Sequence, residues 1–346
     1  MTTTRTTTRT TTGSRRGALV TALAAVGALA LAACGAPSIP ADTPAFTASP
    51  AAAPTALAKP TCDDATTSYD PLPATSGAVA FPGDSLQAQI RKRGRLVVGV
   101  SGDSLLLGSR DPKQPTVFKG FDIDLAKAVG RAIFGPTGDA KVQFRVITAA
   151  QRVPLVNAGV DEGGVDMVAR NMTMNCDRWT QVGFSAVYFT AEQRFLVRSD
   201  SKAKSLGALV AAGARVCAPA GSTSIQRMVD PQYAGIVPVQ VDQHTTCLAL
   251  LQQGRVDAIT GDSTVLAGLN AQDPDYTEVL KGQIGEEPYG LAVAKDHPEF
   301  AQYLNAVLKE YIASGQWQAS YDSYFADALG AKRPPTPEYG REIPAS

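Results

Sequence analysis

From residue 85 onward the chain alternates short apolar runs with helix-length amphipathic segments, and this order restricts its fold more than any other feature. The first series predicts helices and strands in turn over 85–93, 96–100, 120–129, 142–147, 152–158 and 165–169. Strands that alternate with helices in this way form a mostly parallel sheet with helices on both faces. The sequence therefore predicts a doubly wound α/β body in this region.

A second series of the same kind follows two extended segments at 184–189 and 194–198. It predicts strands at 215–218, 237–241 and 256–260, a helix opened by the turn at 221–224, a helix at 244–253, a return strand at 290–294, and helices at 298–315 and 317–328 that pack on the first body. The chain would thus cross between two lobes near 189–195 and 286–291. Two crossings form a hinge, and a hinge favours closure on a ligand.

Composition limits the classes of partner. With 346 residues, of which 44% are hydrophobic, the chain is long enough for two cores. Of the 32 basic residues, four arginines fall within 1–33, so 28 remain in the rest of the chain against 32 acidic residues. The absence of a basic domain argues against a nucleic-acid partner. With no CxxC pattern and only His244 and His297, neither a metal site nor a cofactor is expected.

Residues 1–33 have the pattern of an export signal, with Arg15-Arg16 before an apolar run at 18–33 that is shorter than the roughly 20 residues of a membrane span. The run ends in Leu-Ala-Ala-Cys-Gly, which resembles a bacterial lipobox and implies cleavage before Cys34 and a diacylglycerol on its thiol. Two acyl chains suffice for stable anchoring. We therefore expect a lipid tether to the outer face of the cytoplasmic membrane. The arginine pair leaves the Sec and twin-arginine export routes both open.

The other boundaries follow from composition and pattern. Residues 34–84 are expected to form a lipidated linker and N-terminal extension, because 35–61 consist mainly of Ala, Pro, Thr and Ser. The remaining chain is expected to divide into lobe 1 (85–190 and 291–331), lobe 2 (191–290) and a C-terminal tail (332–346).

Four cysteines remain besides Cys34, and an exported protein is expected to join them in disulfides. Four cysteines permit three pairings. Cys217 and Cys247 fall in the same predicted lobe, which favours a bond between them, and Cys62 would then pair with Cys176 by elimination. Free buried thiols are the alternative.

The run from Val165 to Ser185 combines an apolar strand with polar groups at its end. The strand ends at Ala169, and a helix begins near Asn175 with Arg178 in its first turn. In α/β sheets, ligand sites lie at the carboxyl ends of the strands. The segment therefore predicts a site for a small anion.

This segment closely resembles the signature of the extracytoplasmic amino-acid-binding proteins of ABC importers, solute-binding family 3. The resemblance extends over 91–329 and is strongest at 120–126, 150–155, 165–185, 221–224 and 256–262. It implies a periplasmic-binding-protein type II fold, in which two doubly wound α/β lobes are joined by a two-segment hinge. It also implies a monomer that captures an amino acid and passes it to an ABC permease and its ATPase.

The resemblance also implies roles for residues of lobe 1. The arginine that matches Arg178 holds the ligand α-carboxylate, and the threonine that matches Thr173 assists it, together with the backbone near Asn171. A guanidinium suits this role because its planar fork binds a carboxylate through two hydrogen bonds. The alternative for Arg178 is a solvated arginine in the first turn of a helix.

Lobe 2 would supply the groups that complete the site. Asp262 matches the aspartate that binds the ligand ammonium, which needs an opposite charge when buried. Ser222 and Thr223, at a turn that opens a helix, would add hydroxyl and backbone N–H donors for the carboxylate. The alternative is that these two residues serve only as helix N-caps.

Two further arginines bear on specificity. Arg152 lies in a segment, 150–155, that resembles the Arg-Ile-Pro-Leu element of acidic-amino-acid binders, where the arginine contacts the ligand side-chain carboxylate. Arg152, Arg178 and Asp262 would then match the three charges of glutamate or aspartate. The alternatives are that Arg152 caps a helix or bridges the lobes, or that another group neutralises it so that asparagine or glutamine binds. Arg170 stands where many relatives have a small residue and is a candidate for a further anion contact.

Enzymatic functions fit the sequence less well than binding. The segments 83–86 and 102–105 spell the nucleophile block of GDSL esterases, but no Asp-x-x-His follows. A dehydratase on the same scaffold would need an acid or base facing the ligand, and we expect no histidine in the cleft. The alternative of a lipoprotein that senses the amino acid and signals through a separate membrane partner stays open.

The sequence shows no clear aromatic platform on which the ligand would stack. Phe118 and Tyr188 are the candidates for this role.

Overall fold

The structure is a computed structural model that describes residues 60–75, 78–79 and 83–343. The predicted signal peptide at 1–33, the predicted lipid-bearing Cys34 and the predicted linker as far as residue 59 lie outside the described residues. Among the helices that are described, none is long and apolar enough to cross a membrane.

The first part of the described chain builds most of lobe 1. Its elements are β1 (Ala74–Thr75), β2 (Ala78–Val79), α1 (Leu86–Arg93), β3 (Leu96–Val100), β4 (Asp103–Ser104), β5 (Gly108–Asp111), β6 (Gln114–Lys119), α2 (Phe121–Phe134), a 3-10 helix (Gly138–Lys141), β7 (Val142–Val146), α3 (Arg152–Ala158), β8 (Met167–Val168), α4 (Cys176–Trp179) and β9 (Val182–Phe184).

The chain then crosses into lobe 2 and later returns. Lobe 2 contains β10 (Phe189–Arg198), α5 (Leu206–Ala211), β11 (Arg215–Pro219), α6 (Thr223–Arg227), a 3-10 helix (Pro231–Tyr233), β12 (Val237–Val241), α7 (His244–Gln252), β13 (Ala258–Asp262), α8 (Ser263–Gln272), β14 (Thr277–Val279) and β15 (Gly285–Tyr289). The chain ends in lobe 1 with β16 (Ala292–Ala294), α9 (Pro298–Ala313), α10 (Gln316–Tyr324) and α11 (Ala326–Leu329).

Each lobe is built on its own sheet. The lobe 1 sheet has the order β7-β3-β8-β16-β9, and β3 runs parallel to both β7 and β8. The lobe 2 sheet has the order β12-β11-β13-β10-β14, with β11 parallel to β12 and β13. Helices flank both sheets, so the predicted pair of α/β lobes is confirmed.

The hinge is a pair of antiparallel strands. The start of β10 pairs with β15, with Phe189 opposite Tyr289, so both crossings lie side by side. The returning helices fix this end of β10 to lobe 1, because the Trp317 indole donates to the Tyr188 carbonyl at 2.7 Å. The rings of Phe189 and Trp317 also stack, with centroids 6.2 Å apart. This end of the hinge is therefore anchored to lobe 1.

Several strands and helices of the structure were not predicted from the sequence patterns. The small antiparallel sheet β4-β5-β6 was not predicted, because its residues are mostly polar and partly exposed and show no apolar alternation. Helices α5 and α8 were also missed. The apolar run at 165–169 yields only the two-residue strand β8, and just before it the Asp166 carboxylate accepts from the Val97 N–H at 2.8 Å. The single helix predicted over 317–328 is divided into α10 and α11.

The two ends of the described chain meet on lobe 1 and form what we call the clasp, residues 62–70 with 338–341. Ser68 forms a parallel bridge with Tyr339. The Arg341 guanidinium lies 3.8 Å from the centre of the Trp179 ring and pairs with Asp64. The clasp thus covers helix α4 and attaches this part of the extension to the folded body.

Both expected disulfides are present. Cys62 is bonded to Cys176, which joins the clasp to the first residue of α4. Cys217 is bonded to Cys247, which joins β11 to α7 inside lobe 2. All four sulfur atoms are therefore paired, and the alternative of free thiols is not observed for them.

Replacement of both Cys217 and Cys247 by serine is expected to lower the free energy of unfolding by about 3 kcal/mol, because the bond closes a loop between positions 30 residues apart. Urea denaturation followed by circular dichroism measures this change. A loss below about 1 kcal/mol would show that the packing of α7 on β11, and not chain entropy, holds this part of lobe 2.

Candidate functional site

A small cavity lies between the lobes, beyond the ends of β8 and β13. It is lined by Ala149, Arg152, Arg170, Asn171, Ser222, Thr223, Ser224, His244 and Asp262. In this conformation it has space for about one water molecule, because groups from both lobes meet across it. Six of the eight predicted ligand residues line the cavity, and the other two, Thr173 and Arg178, lie beside it.

Asn171 follows β8 and has an unusual backbone. Its φ of 33° lies in the left-handed region, which costs a residue with a side chain about 1–3 kcal/mol. The buried carboxylate of Asp122 supports this conformation by accepting from the Asn171 N–H at 2.9 Å and from the Tyr188 hydroxyl at 2.8 Å. Burial raises the pKa of Asp122 to about 6. This acid was not predicted as a site residue, whereas the structure shows that it supports the backbone of Asn171.

Arg152 is the first residue of α3 and is buried. Its guanidinium donates to the carbonyl of Ala149 at 2.9 Å, to that of Asn171 at 3.2 Å and, across the cleft, to that of Gly221 at 3.1 Å. Burial and, next, repulsion from Arg178 hold its pKa well below the usual range. In this conformation Arg152 therefore bridges the lobes, as one of the sequence alternatives foresaw.

Arg178 lies in helix α4, which the Asn175 side chain caps by accepting from the Arg178 N–H at 2.8 Å. Its guanidinium donates to the Thr173 carbonyl at 2.7 Å and to the Gly221 carbonyl at 3.3 Å. Only 6% of the residue is exposed, so the alternative of a solvated arginine does not hold. Burial lowers its pKa, and the field of Glu287 partly offsets this effect.

The carbonyl of Gly221 is thus shared by two guanidiniums of the opposite lobe. Gly221 has a φ of 73°, and a Cβ at this position would lie 2.7 Å from the Cα of Ala150. No other residue type can bring its carbonyl this close to lobe 1 without strain. A neutral oxygen therefore occupies the position between Arg152 and Arg178 where an anion would be favoured.

Asp262 ends β13 and is 4% exposed. Its Oδ2 accepts from the Asn171 side-chain amide at 3.0 Å and from the Tyr289 hydroxyl at 2.7 Å. Burial first, and repulsion from Glu287 second, raise its pKa to about 6. The carboxylate is therefore held where a cationic group would stabilise its charged form.

Glu287 was not predicted, yet it joins both lobes from the hinge strand β15. It is fully buried and accepts from the hydroxyls of Thr173 at 2.5 Å and Thr223 at 2.7 Å, and from the Arg227 guanidinium at 2.8 Å. In the sequence it is the second of two adjacent glutamates, a pattern that is typical of an exposed loop. The only available signal was its position within the predicted crossing at 286–291.

Ser222 and Thr223 begin helix α6. The Ser222 hydroxyl accepts from the Ile225 N–H at 3.2 Å and donates to the Pro219 carbonyl at 2.6 Å, so it caps the helix while it lines the cavity. The Thr223 hydroxyl donates a hydrogen bond to the Glu287 carboxylate. The N-cap alternative therefore describes the Ser222 side chain in this conformation.

Arg170 and His244 form the remaining polar wall of the cavity. Both are buried, and among the described residues neither the Arg170 Nε nor the His244 Nε2 has a hydrogen-bond partner. Burial, and then repulsion from Arg170, lower the pKa of His244 to about 4. The expectation that no histidine faces the cleft is wrong, because a helix pattern does not tell which of its residues points across an interlobe gap.

The two candidates for an aromatic platform lie elsewhere. Phe118 packs on Phe144, with ring centroids 5.3 Å apart, and the Arg110 guanidinium lies 4.8 Å from the centre of the Phe118 ring. Tyr188 is buried beside Asp122 in the lobe 1 core. Neither ring lines the cavity. In the part of the chain that the structure describes, no three His, Cys, Asp or Glu side chains are grouped as metal ligands would be.

Comparison with known proteins places this geometry in a family. A sequence model of the bacterial extracellular solute-binding proteins, family 3, matches residues 96–327. The glutamine-binding protein of Geobacillus stearothermophilus is 35% identical over 224 residues, which cover 64% of this chain and 81% of that protein. The glutamate-binding protein GluB of Corynebacterium efficiens is 32% identical over 243 residues, which cover 68% of this chain and 80% of that protein.

A solved structure shows the same architecture. Holo ArgBP from T. maritima is 29% identical, with a TM-score of 0.58 over 68% of this chain and 98% of that chain. These similarities confirm the predicted type II periplasmic-binding-protein fold. The relatives are named for binding amino acids, so a substrate-binding role is shown at that level. This chain therefore belongs to the bacterial extracellular solute-binding proteins of family 3.

Proposed function

We propose that this protein is a monomeric, lipid-anchored subunit that binds glutamate or aspartate between its lobes and delivers it to an ABC permease and its ATPase. The relatives named for glutamine and glutamate support an amino-acid ligand. The choice of an acidic ligand depends on the charges that this chain itself places around the cavity.

One observation carries the proposal. The hydrogen bonds of the buried Arg152 and Arg178 guanidiniums all end on neutral backbone carbonyls, and the two share the carbonyl of Gly221. A buried cation is stabilised better by a carboxylate than by a neutral carbonyl, because the opposite charge adds a Coulombic attraction and the two oxygens accept two hydrogen bonds from one guanidinium. Ligand carboxylates that took the place of the Gly221 oxygen would therefore gain free energy from the two arginines.

The proposed pose assigns each charge of the ligand. Arg178 and Thr173, with the backbone of Ser222 and Thr223, would bind the α-carboxylate, and Asp262 would bind the ammonium. Arg152 and Arg170 would bind the side-chain carboxylate. Asn171 would position Asp262 through its existing hydrogen bond.

Neutral and cationic amino acids fit this set of charges less well. All three arginines are buried, and Arg170 and Arg178 both lie close enough to Arg152 to repel its charge. Glutamine would leave at least one of them without a counter-ion, and an arginine ligand would add a fourth positive charge. Buried charges without partners cost several kcal/mol, which favours the acids by about tenfold or more.

Catalysis is not part of the proposal, although His244 lines the cavity. Its pKa of about 4 leaves the imidazole neutral at pH 7, so it has no proton of suitable acidity to give and is a weak base. A neutral ring at this position suits a hydrogen bond to a bound ligand.

Titration calorimetry across the twenty amino acids tests the ligand. Glutamate or aspartate is expected to bind with a Kd of about 1 μM, which corresponds to about −8 kcal/mol. Arg178→Met is expected to weaken binding of every amino acid by about 100-fold or more, since it removes a buried charge partner. Arg152→Met should weaken glutamate much more than glutamine.

Arg131→Gln is the matched control, because this arginine is partly exposed on lobe 1 and pairs with Asp139 away from the cavity. It should leave every affinity unchanged. If arginine or histidine binds and the acids do not, the assignment of Arg152 is wrong.

The affinity for glutamate is expected to be constant above pH 7 and to fall by about tenfold per pH unit below pH 6. The pKa of Asp262 is raised to about 6 before the ligand ammonium arrives, and the ammonium lowers it, so the proton must leave for the ligand to bind. Calorimetry from pH 5 to pH 8 measures the profile. Asp262→Asn should bind weakly with no such slope, and a slope retained in that variant would assign the titration to another group.

The lipid anchor is also a proposal, because Cys34 lies outside the described residues. Cys34→Ser is expected to move the protein from the membrane fraction to the soluble fraction of the cells, since the thiol that carries the diacylglycerol is lost. Cell fractionation with metabolic palmitate labelling checks this. Equal labelling and membrane recovery of the variant would contradict the anchor.

A further inference from the structure

Asp103, in strand β4 of lobe 1, reaches across to lobe 2. Its Oδ2 accepts from the Thr245 hydroxyl at 2.7 Å and from the Thr245 N–H at 3.4 Å. Its Oδ1 accepts from the Ser101 hydroxyl of its own lobe at 3.0 Å, which fixes the direction of the carboxylate. The interlobe contact is therefore made by a side chain that is already oriented.

Thr245 lies in the first turn of helix α7, where the backbone N–H groups lack partners within the helix. The residue at the N-cap position, Gln243, makes no side-chain hydrogen bond to this turn. Asp103 supplies that bond from the other lobe, and its negative charge is favoured at the positive end of the helix. A carboxylate of lobe 1 thus caps a helix of lobe 2 when the lobes are together.

A second contact lies next to the first. The carbonyl of Leu105 lies so close to helix α8 that a Cβ at Gly268 would be 2.2 Å from it. This contact is between backbones, so no rotation of a side chain could relieve the overlap. Gly268 lies in the middle of α8, where alanine would otherwise stabilise the helix by about 1 kcal/mol. The glycine therefore matters for the approach of the lobes and not for the helix itself.

These contacts are separate from the cavity and from the hinge. None of Asp103, Leu105, Thr245 and Gly268 is among the residues that line the cavity. The hinge consists of β10 and β15, which contain none of them. The titratable groups near Asp103 are Arg170 and His244; burial lowers the pKa of Arg170, and the negative charge of Asp103 partly offsets this effect.

We propose that residues 103–105 of lobe 1 form a latch that stabilises the closed conformation by capping α7 and seating on α8, without touching the ligand. Such a latch raises the fraction of molecules in the closed, binding-competent form. The apparent Kd equals the intrinsic Kd divided by that fraction, so the latch sets affinity from outside the site. Only the choice of ligand for the affinity measurement rests on the proposed function.

Two independent variants test the latch, Asp103→Ala and Gly268→Ala. Each is expected to weaken glutamate binding by about tenfold, the equivalent of one lost helix cap, with faster dissociation. Without added amino acid, fluorescence energy transfer between a dye on each lobe is expected to fall in both variants relative to the wild type. The melting temperature of Gly268→Ala should not fall, because alanine favours the helix.

The controls separate charge from closure. Asp103→Asn keeps an acceptor and should lose less affinity than Asp103→Ala. Asp111→Asn removes an acid of the same small sheet that pairs with Lys119 within lobe 1, and it should change neither affinity nor energy transfer.

Unchanged energy transfer in both latch variants would overturn the proposal, whether or not affinity falls, because the residues would then act without changing closure. A wild type as open as the variants would overturn it as well. If no amino acid binds the wild type, the proposed function fails while the energy-transfer comparison still decides the latch.

Discussion

The two guanidiniums that meet on one backbone carbonyl determine how the lobes fit together. Arg152 and Arg178 lie on two short helices of lobe 1, α3 and α4, and both reach the Gly221 oxygen of lobe 2. Like charges at such short range repel, and burial removes the water that would otherwise screen them. A negatively charged group between them would relieve both effects, so the same contact that joins the lobes also defines what the site favours.

The carboxylates around this pair of arginines form their hydrogen bonds with other groups. Asp122 is used by the backbone of Asn171, and Glu287 by two threonine hydroxyls and Arg227. Asp262 keeps its own hydrogen bonds to an amide and a phenol. Each carboxylate is thus satisfied mainly by groups other than the two arginines, which leaves those arginines available to an external anion.

Local patterns predicted the scaffold and the residues that follow strands. The β–α alternation predicted both lobes. The segment 165–185 predicted Thr173 and Arg178 as site residues, because the end of a strand and the start of a helix are encoded there within a few residues. Glu287, His244 and Asp103 were missed as site or closure residues. Their roles depend on which side chain faces the other lobe, and that orientation is set by the hinge and by packing far away in the sequence.

The clasp joins the amino-terminal extension to lobe 1. The bond from Cys62 to Cys176 and the stacking of Arg341 on Trp179 attach the amino-terminal extension to lobe 1 alone. Any tension along the upstream chain is therefore transmitted to the half that carries Arg178, two residues from the bonded cysteine. If the upstream chain is held, closure moves lobe 2 relative to lobe 1, and the outer face of lobe 2 is the surface that changes position.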